Sequence, residues 1–344
     1  MIGKVPIDLF GTFARFGREQ KISLRDPQSM AFFMSHVETT LTRAIESDIL
    51  LHGQRTEKMF EALVVSLGQY KLLKAEDTGF VHPNGEYIAP DFRVILRNGL
   101  QWLIEVKNIY GHDPSRQYFW ATDEYLSRLK SYAIAVGCPL KFALSWARWR
   151  IWTLVDVSDL SRVDDQWAIE MPKATQVNEF AQLGDRTIGT RPPLKLRLII
   201  DQAKPRTIGP DGIVSFTIER AALYSAGTEI TDPTEQNIAW IFMNLGDWDC
   251  SESIPVISGD MLDAIELEWQ PRERSNPHEN FEMIGTLSSM FSRDYASHTL
   301  DEGGVVQTEA ELRPDWFLPL IEASQKSKAL PLWRFVLEPN RKAS

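Results

Sequence analysis

The pattern of apolar and polar residues from position 90 to 107 predicts two β-strands joined by a turn. The apolar run Val94–Leu96 leads into the turn residues Arg97–Gly99, and a second apolar run extends from Leu100 to Val106. An Asn-Gly pair between two apolar runs is a strong signal for a β-hairpin. We therefore expect a hairpin here.

Three charges lie at the open end of this hairpin. Asp91 opens the first strand, and Glu105 and Lys107 share one face at the end of the second, because side chains alternate along a strand. A two-residue turn would put Asp91 on the opposite face from Glu105. A three-residue loop with a bulge pairs Leu96 with Leu100 and sets Asp91 opposite Glu105. We expect the second register, which gathers the charges; the simpler interpretation is a hairpin with solvated ends and one ion pair.

The segments around the hairpin predict an α/β fold. Helical periodicity runs over about 34–51, 54–67 and 122–136, and strand patterns cover 70–74, 140–146 and 151–157. The order helix, strand, hairpin, helix, strand, strand fits a mixed sheet flanked by helices.

The second half of the chain predicts a separate α+β domain. Strand patterns lie at 194–200, 213–218, 264–269 and 332–337. Helix starts are marked at Asp232 and at Asn276, each a capping residue followed by proline and, two positions later, glutamate. We therefore divide the chain into a helical lead-in (1–52), a core (53–157), a linker (158–193) and an acidic α+β domain (194–344).

The net charge of −10 is spread unevenly. Residues 1–156 hold 19 Lys and Arg against 17 Asp and Glu, a net of +2, whereas residues 157–344 hold 18 against 30, a net of −12. The first half is therefore the better candidate for contact with nucleic acid. The acidic half is expected to bind a protein partner or a second copy of the chain.

Cellular location is inferred from what the sequence lacks. It contains no run of 18 apolar residues, so no membrane span is expected. The first residues lack the apolar centre of a signal peptide, and the two cysteines, Cys138 and Cys250, are far apart. These features favour the reducing cytoplasm.

Residues 53–157 resemble the PD-(D/E)XK nuclease superfamily, which includes restriction endonucleases and archaeal Holliday-junction resolvases. Pro90-Asp91 is followed, after thirteen intervening residues, by Glu105-Val106-Lys107. Upstream, Gly53 and Glu57 form a Gly-x-x-x-Glu pattern at a helix start. The resemblance implies a restriction-endonuclease-like core and does not extend to the acidic half.

The resemblance also implies a catalytic site. Asp91, Glu105 and the Val106 carbonyl would bind Mg²⁺, with Mn²⁺ able to substitute, because hard divalent ions prefer oxygen ligands. Lys107 would orient the attacking water and offset phosphate charge. Glu57 would hold the metal through water or bind a second ion.

The role of Glu57 has two alternatives. Glu61 lies one turn further along the same helix and competes for the role. Glu57 could also be an exposed helix residue paired with Arg55 or Lys58. Its spacing from Gly53 favours Glu57.

Four cations are candidates for contact with DNA. They are Arg93, Arg55, Lys58 and Arg128, and for each the simpler interpretation is a solvated surface residue. Arg128 is more readily explained as a partner of Glu124 on the same helix.

A basic and aromatic alternation follows at 146–152. Arg148 and Arg150 interleave with Trp146, Trp149 and Trp152. Such a pattern can stack nucleic-acid bases, but a half-buried strand produces the same alternation.

These observations favour a Mg²⁺-dependent endonuclease that hydrolyses DNA, in a mobile-element, repair or defence system. The alternative is a non-catalytic nuclease fold that binds a protein partner through its acidic half. The sequence leaves open the choice between DNA and RNA, the cleavage specificity and the oligomeric state.

Overall fold

The computed structural model describes residues 9–76, 85–113, 115–205, 207–208, 213–258, 261–273, 281–314, 316–322 and 327–341. The helices are α1 (Leu9–Gln20), α2 (Ser29–Ile45), α3 (Asp48–Leu67), α4 (Asp123–Ala135), α5 (Met171–Gln176), α6 (Pro233–Leu245), α7 (Leu287–Thr299) and α8 (Leu318–Glu322), with short 3-10 helices at Val157–Asp159 and Phe180–Leu183. The strands up to residue 190 are β1 (Tyr70–Ala75), β2 (Phe92–Leu96), β3 (Gln101–Ile109), β4 (Tyr118–Thr122), β5 (Leu140–Trp146), β6 (Ile151–Asp156), β7 (Ser161–Val163), β8 (Gln166–Glu170) and β9 (Thr187–Thr190). Those that follow are β10 (Leu194–Ile200), β11 (Thr207–Ile208), β12 (Val214–Ser215), β13 (Ile218–Ser225), β14 (Thr228–Ile230), β15 (Asp249–Cys250), β16 (Ile254–Ser258), β17 (Met261–Gln270), β18 (Glu282–Thr286), β19 (Leu300–Asp301), β20 (Gly304–Val305) and β21 (Trp333–Phe335).

The first half forms a five-stranded mixed sheet in the order β1-β2-β3-β5-β6. Strands β3 and β5 are parallel, and the other neighbours are antiparallel. Helix α4 supplies the crossover from β3 to β5, as a parallel connection requires. The predicted α/β class with a mixed sheet and flanking helices is therefore confirmed.

The hairpin adopts the predicted register. Phe92 pairs with Ile104 and Ile95 with Gln101. The Leu96 N–H donates to the Leu100 carbonyl at 2.8 Å, and Gly99 has a φ of +91°. This φ lies in a region that glycine adopts without strain, so the three-residue loop forms readily. The register places the residue before Phe92, Asp91, opposite Glu105.

Two apolar clusters cover the two faces of this sheet. Val94 and Ile104 face α3, whereas Leu103 and Phe142 face α4. Each helix covers one face with an apolar stripe, represented by Phe60 in α3. Both faces of the central strands are therefore dry, and polar side chains reach water only where a strand ends.

The segment 158–193, expected to be a linker, is folded. It contains β7, β8, α5 and β9, and β8 pairs with both β4 and β7. Phe180 and Ile188 belong to the same buried cluster as Phe60. The linker prediction is wrong because these apolar side chains complete the α3 face of the first sheet.

The acidic half contains its own sheet in the order β14-β13-β10-β17-β15, with β16 also paired to β17. A smaller sheet joins β18, β9 and β21. Apolar residues of this half, such as Leu194, Phe242 and Leu287, lie in the cluster that covers the first sheet. One core thus spans both halves, and a separately folding acidic domain stays a prediction.

Local signals in this half succeed at one helix and fail at another. Asp232 caps α6, accepting from the Thr234 and Glu235 N–H groups, as predicted. The start predicted at Asn276 lies outside the described residues. The helical stripe expected after it comprises Phe281, Ile284, Leu287 and Phe291. The last two do lie on α7, whereas the segment before Leu287 is not helical. Residues Glu282–Thr286 form β18, because they pair with β9, nearly a hundred positions earlier.

The helical lead-in forms a pair, α1 and α2, with a small aromatic cluster of Phe13, Phe16 and Phe33. Several apolar residues remain exposed here, among them Phe10 at 73%. None of the helices that the structure describes is both long and apolar enough to cross a bilayer.

Candidate active site

The open end of the β2–β3 hairpin gathers two carboxylates and one lysine. The Val106 N–H donates to Asp91 Oδ2 at 2.6 Å, which turns the Asp91 side chain toward β3. Lys107 Nζ donates to Glu105 Oε1, also at 2.6 Å. Glu105 is 4% exposed, so this ion pair is largely withdrawn from water. The three residues that the sequence predicted to meet lie on one face.

A residue that sequence reasoning missed completes this group. The Tyr125 hydroxyl, in the first turn of α4, donates to Glu105 Oε1. Lys107 Nζ also lies 5.3 Å from the centroid of the Tyr125 ring. Tyr125 and Tyr132 are seven residues apart and flank the buried Leu126 and Leu129, a spacing that could have indicated a second, polar stripe on α4.

Electrostatics in this cluster favour a neutral Asp91 when no cation is bound. Burial is the largest cause, and the negative charge of Glu105 adds to it, raising the pKa of Asp91 to about 8. The Val106 N–H and the charge of Lys107 act in the opposite direction. The charge of Glu57 contributes a smaller rise, so Glu57 on α3 is near enough to Asp91 to influence it.

The two partners of Glu105 hold different charges. Burial lowers the pKa of Lys107, but the charge of Glu105, together with Tyr125 and the hydrogen bonds to both, outweighs it. The net pKa therefore lies above its ordinary value, and Lys107 is a cation at neutral pH. Burial and the charge of Glu105 both raise the pKa of Tyr125, so its hydroxyl stays protonated and donates. Glu105 is therefore held by one cation and one neutral donor.

The contacts of Glu61 separate it from Glu57. Glu61 pairs with Lys58 at 3.1 Å, and Lys58 also lies 3.5 Å from Glu309. Lys58 is thus engaged by two carboxylates and points toward the acidic half. The charge of Glu57 contributes to the raised pKa of Asp91. Of the two glutamates, Glu57 is therefore the better candidate for a role at the carboxylate cluster.

The oxygen atoms at the hairpin end fit a divalent cation. Glu105 Oε2 is buried and has no hydrogen-bond partner in the described part of the chain. An orphaned buried carboxylate oxygen is costly unless a cation or water satisfies it. The Val106 carbonyl lies on the same side of β3 as its N–H, which faces Asp91. These two groups and Asp91 form an all-oxygen donor set.

Glu57 does not complete a cluster of three acids. No group of three or more His, Cys, Asp and Glu side chains among the described residues is arranged to hold a metal ion. The donor set therefore consists of Asp91, Glu105 and the Val106 carbonyl.

Arg93, expected to line a substrate groove, forms a buried ion pair instead. Its guanidinium bonds Glu76 at 2.5 and 3.1 Å, and Tyr132 donates to the same carboxylate at 2.7 Å. Arg93 shares the face of Asp91, two residues away, so it points under α4. Arg93 thus ties the first sheet to α4, which positions Tyr125.

Glu76 should contribute stability that disappears in acid. Burial raises the pKa of Glu76, but hydrogen bonds from Tyr132 and Arg93 outweigh it, so the net pKa lies below its ordinary value. Stability from such a group is present above the unfolded-state pKa and is lost as pH falls through the folded-state value. We expect Glu76→Gln to lower the free energy of unfolding by roughly 2 kcal/mol at pH 7. Urea unfolding from pH 7 down to 3 should show this deficit shrinking.

The matched control for this prediction is Glu124→Gln. Glu124 is largely exposed and lies 3.7 Å from Arg128, so its removal should cost under about 0.5 kcal/mol at any pH. A Glu76→Gln deficit that stays constant down to pH 3 would show that the ion pair does not carry the stability.

Two further cations have structural partners. Arg55 is 7% exposed, and its Nε donates to Thr299 Oγ1 at 2.7 Å, so its groove-lining prediction is corrected. Burial also lowers the pKa of Arg55. Arg128 pairs with Glu124 on the same helix, which is the simpler of the two interpretations offered for it. Arg55 and Arg93 are therefore parts of the scaffold.

The three tryptophans of 146–152 have different environments. Trp146 and Trp152 are 0% and 2% exposed, and their indole N–H groups bond Thr153 and Ser292 at 2.9 and 3.0 Å. Stacking of bases is thereby excluded for both. Trp149, in the β5–β6 turn, is 50% exposed.

Comparisons with known proteins yield a partial likeness to solved structures. No family model and no curated protein matches the sequence. The 1.6 Å structure of Hjc, a Holliday junction resolvase from Archaeoglobus fulgidus, aligns with 36% of this chain and 91% of its own, at 19% identity and a TM-score of 0.29. The function proposed below rests on the site residues of this chain rather than on this likeness.

Proposed function

We propose that the protein is a metal-dependent endonuclease that hydrolyses phosphodiester bonds in DNA. The observation that carries the proposal is the group of Asp91, Glu105 and Lys107 at the end of a buried hairpin, with Glu105 Oε2 orphaned. Two carboxyl groups crowded in a buried place destabilise a fold unless a bound ligand compensates them, and such groups concentrate at functional sites.

Asp91, Glu105 and the Val106 carbonyl are the residues that would hold a divalent ion, with Glu57 reaching it through water. Bound there, Mg²⁺ or Mn²⁺ would act as a Lewis acid toward the phosphate and as an activator of water. The all-oxygen donor set suits a hard cation rather than one that prefers sulfur.

Lys107 supplies the positive charge that the two carboxylates lack. Its ammonium group is cationic at neutral pH and lies on the same strand face as Glu105. From this position it would donate to a nonbridging phosphate oxygen and to the attacking water, stabilising the charge that develops in the transition state. Tyr125 would keep Glu105 oriented while Lys107 moves between these partners.

Cleavage of defined DNA substrates tests the proposal. Purified protein is incubated with supercoiled plasmid, linear duplex, single strand and branched DNA, each with EDTA, Mg²⁺ or Mn²⁺. We expect cleavage only with a divalent ion, and none by Glu105→Gln, which keeps the side-chain size but removes the charge. Calorimetry should show Mn²⁺ binding to the wild type and much weaker binding to Glu105→Gln.

A different pattern would favour the non-catalytic alternative. Wild-type protein that binds neither metal nor DNA, yet associates with itself or with a protein through its acidic half, would be a partner-binding nuclease fold. Cleavage that survives in Glu105→Gln would place the activity elsewhere in the chain or in a contaminant.

Tyr125→Phe should weaken metal binding without disturbing the fold. The ring remains against Lys107, but the hydroxyl that fixes Glu105 Oε1 is lost. Partners that orient metal ligands typically contribute 10–100-fold to metal affinity or activity. We expect calorimetry to give a Mn²⁺ dissociation constant about 10-fold larger than that of the wild type. The cleavage rate should recover at high metal concentration.

Tyr118→Phe is the matched control, because Tyr118 is 56% exposed on β4. It should bind Mn²⁺ as the wild type does. If Tyr125→Phe also binds Mn²⁺ normally, Tyr125 serves the packing of α4 alone.

A further inference from the structure

A second surface lies at the same sheet edge as the carboxylate cluster. Strands β3 and β5 are parallel, with Ile109 beside Trp146, so their carboxyl ends meet at one edge. The Ala147 N–H donates to the Ile109 carbonyl at 3.1 Å, which fixes the β5–β6 turn beside the end of β3. Glu105 and Lys107 approach this edge along β3, so the turn flanks the candidate active site.

The edge carries two exposed aromatic side chains and two arginines, which we call the edge patch: Tyr110, Arg148, Trp149 and Arg150. Tyr110 is 64% exposed and Trp149 is 50% exposed. The Arg148 guanidinium carbon lies 4.5 Å from the centroid of the Tyr110 ring. Arg148 and Arg150 are exposed, and neither forms an ion pair with a carboxylate in the described ranges.

Three features define the backbone path of this turn. Arg148 Nε donates to the Gly111 carbonyl, and the Trp149 N–H donates to the Trp146 carbonyl at 3.0 Å. Arg150 adopts a φ of +53°, which closes the turn and turns the chain into β6. Exposed aromatic rings beside unneutralised arginines have no role in the core.

We propose that the edge patch binds an unpaired segment of a DNA strand next to the cleavage site. This inference rests on the proposed nuclease function. Arg148 and Arg150 would contact phosphates, for which the planar guanidinium is suited. Trp149 and the Tyr110 ring would stack on bases, since aromatic faces accept any base.

The spacing suits a continuous strand. Tyr110 follows Lys107 by three residues, or about 10 Å at strand geometry. Duplex DNA rises 3.4 Å per nucleotide of one strand, and an unpaired strand is more extended, so the patch lies within about three nucleotides of a phosphate held at Lys107. One strand can therefore contact both places without a large bend.

The aromatic residues favour unpaired bases over duplex DNA. In a duplex the base faces are covered by their neighbours in the stack, so an exposed indole finds no surface to stack on. In a forked or branched substrate, bases near the branch are free. The edge patch thus selects a substrate in which a single strand leaves a duplex close to the scissile phosphate.

Fluorescence anisotropy in EDTA tests this without cleavage. Labelled single strand, duplex and forked duplex are titrated with wild type, Trp149→Ala, Trp149→Phe and the double variant Arg148→Gln/Arg150→Asn, in which asparagine tolerates the left-handed backbone. We expect Trp149→Ala to weaken single-strand and fork binding about 5- to 100-fold and to leave duplex binding unchanged, with Trp149→Phe recovering most of the loss. The double variant should weaken binding of all three DNAs. It should also make the slope of log affinity against log salt concentration shallower by about two, as expected for the loss of two phosphate contacts.

Two controls make the result specific to the patch. Trp240→Ala removes a tryptophan that is 40% exposed on α6, and Arg97→Ala removes an exposed arginine at the opposite end of the β2–β3 hairpin. Both should bind as the wild type does. Equal binding by wild type and Trp149→Ala, or equal losses in the controls, would overturn the proposal. Because no cleavage is measured, a protein that binds forks through the patch but never cuts would refute the nuclease function and leave the patch standing.

Discussion

Asp91→Asn and Lys107→Ala should each abolish metal-dependent cleavage and yet differ in metal binding. Asp91 offers an oxygen ligand, whereas Lys107 offers the charge that meets the phosphate and the water. We expect each substitution to lower the cleavage rate by at least about 10³-fold, as the loss of a central electrostatic group does. Mn²⁺ calorimetry should show the site lost in Asp91→Asn and retained in Lys107→Ala.

The contact between Lys107 and Glu105 predicts how Lys107→Ala should change metal affinity. Lys107 donates a hydrogen bond to Glu105 Oε1, so its ammonium group competes with a metal ion for that carboxylate. Lys107→Ala should therefore bind Mn²⁺ at least as tightly as the wild type. Lys71→Ala, at an exposed position of β1, is the matched control and should change neither cleavage nor binding.

Measuring the stability of Asp91→Asn shows whether it loses cleavage because the site is lost or because the protein unfolds. The folded-state pKa of Asp91 lies above its ordinary value, so ionisation costs stability as pH rises from about 4 to 8. Metal-free Asp91→Asn should thus unfold no more easily than the wild type, and at pH 9 it should be more stable, on the order of 2 kcal/mol. Full cleavage by either variant, or a large drop in stability for Asp91→Asn, would contradict this assignment of the site.

The hairpin could be predicted because its determinants are local. Asn98-Gly99 fixes the loop, and the two-residue period then carries Asp91 to a place opposite Glu105. The same local logic identified the cap at Asp232. Each of these signals lies within a few residues of its effect.

The rest of the site depends on contacts that sequence spacing does not encode. Arg55 donates to Thr299, 244 positions away, and Arg93 pairs with Glu76, 17 positions away. β18 was mistaken for a helix because its strand partner is remote. Charge alone cannot distinguish a cation that faces DNA from one that joins two elements, since both have the same sequence appearance.

A chain that ends near residue 157 should fail to fold, although the sequence predicts a nuclease core that closes there. Phe60 and Trp152 contact Phe180, with ring centroids 6.3 and 5.9 Å apart. Trp152 also donates to Ser292 on α7. Truncation would expose the α3 face of the first sheet to water, and the lost burial exceeds the few kcal/mol by which a domain is stable.

Full-length Phe180→Ala measures the same coupling in a chain that keeps all its elements. Phe180 is fully buried, so the substitution should lower the free energy of unfolding by about 3–5 kcal/mol. Unfolding should stay a single transition when followed by near-ultraviolet and far-ultraviolet circular dichroism. Trp240→Ala, at a half-exposed position of α6, should cost under about 1 kcal/mol.

The opposite outcome would restore the two-domain interpretation. A fragment of residues 1–157 that unfolds cooperatively, or a Phe180→Ala protein that melts in two separate steps, would show that the first half holds its own core. If the halves unfold together, the role of the acidic half must be tested in the intact chain. Light scattering at several protein concentrations then shows whether the intact chain, whose acidic half has a net charge of −12, associates with itself. A chain that stays monomeric would leave a protein partner as the remaining candidate.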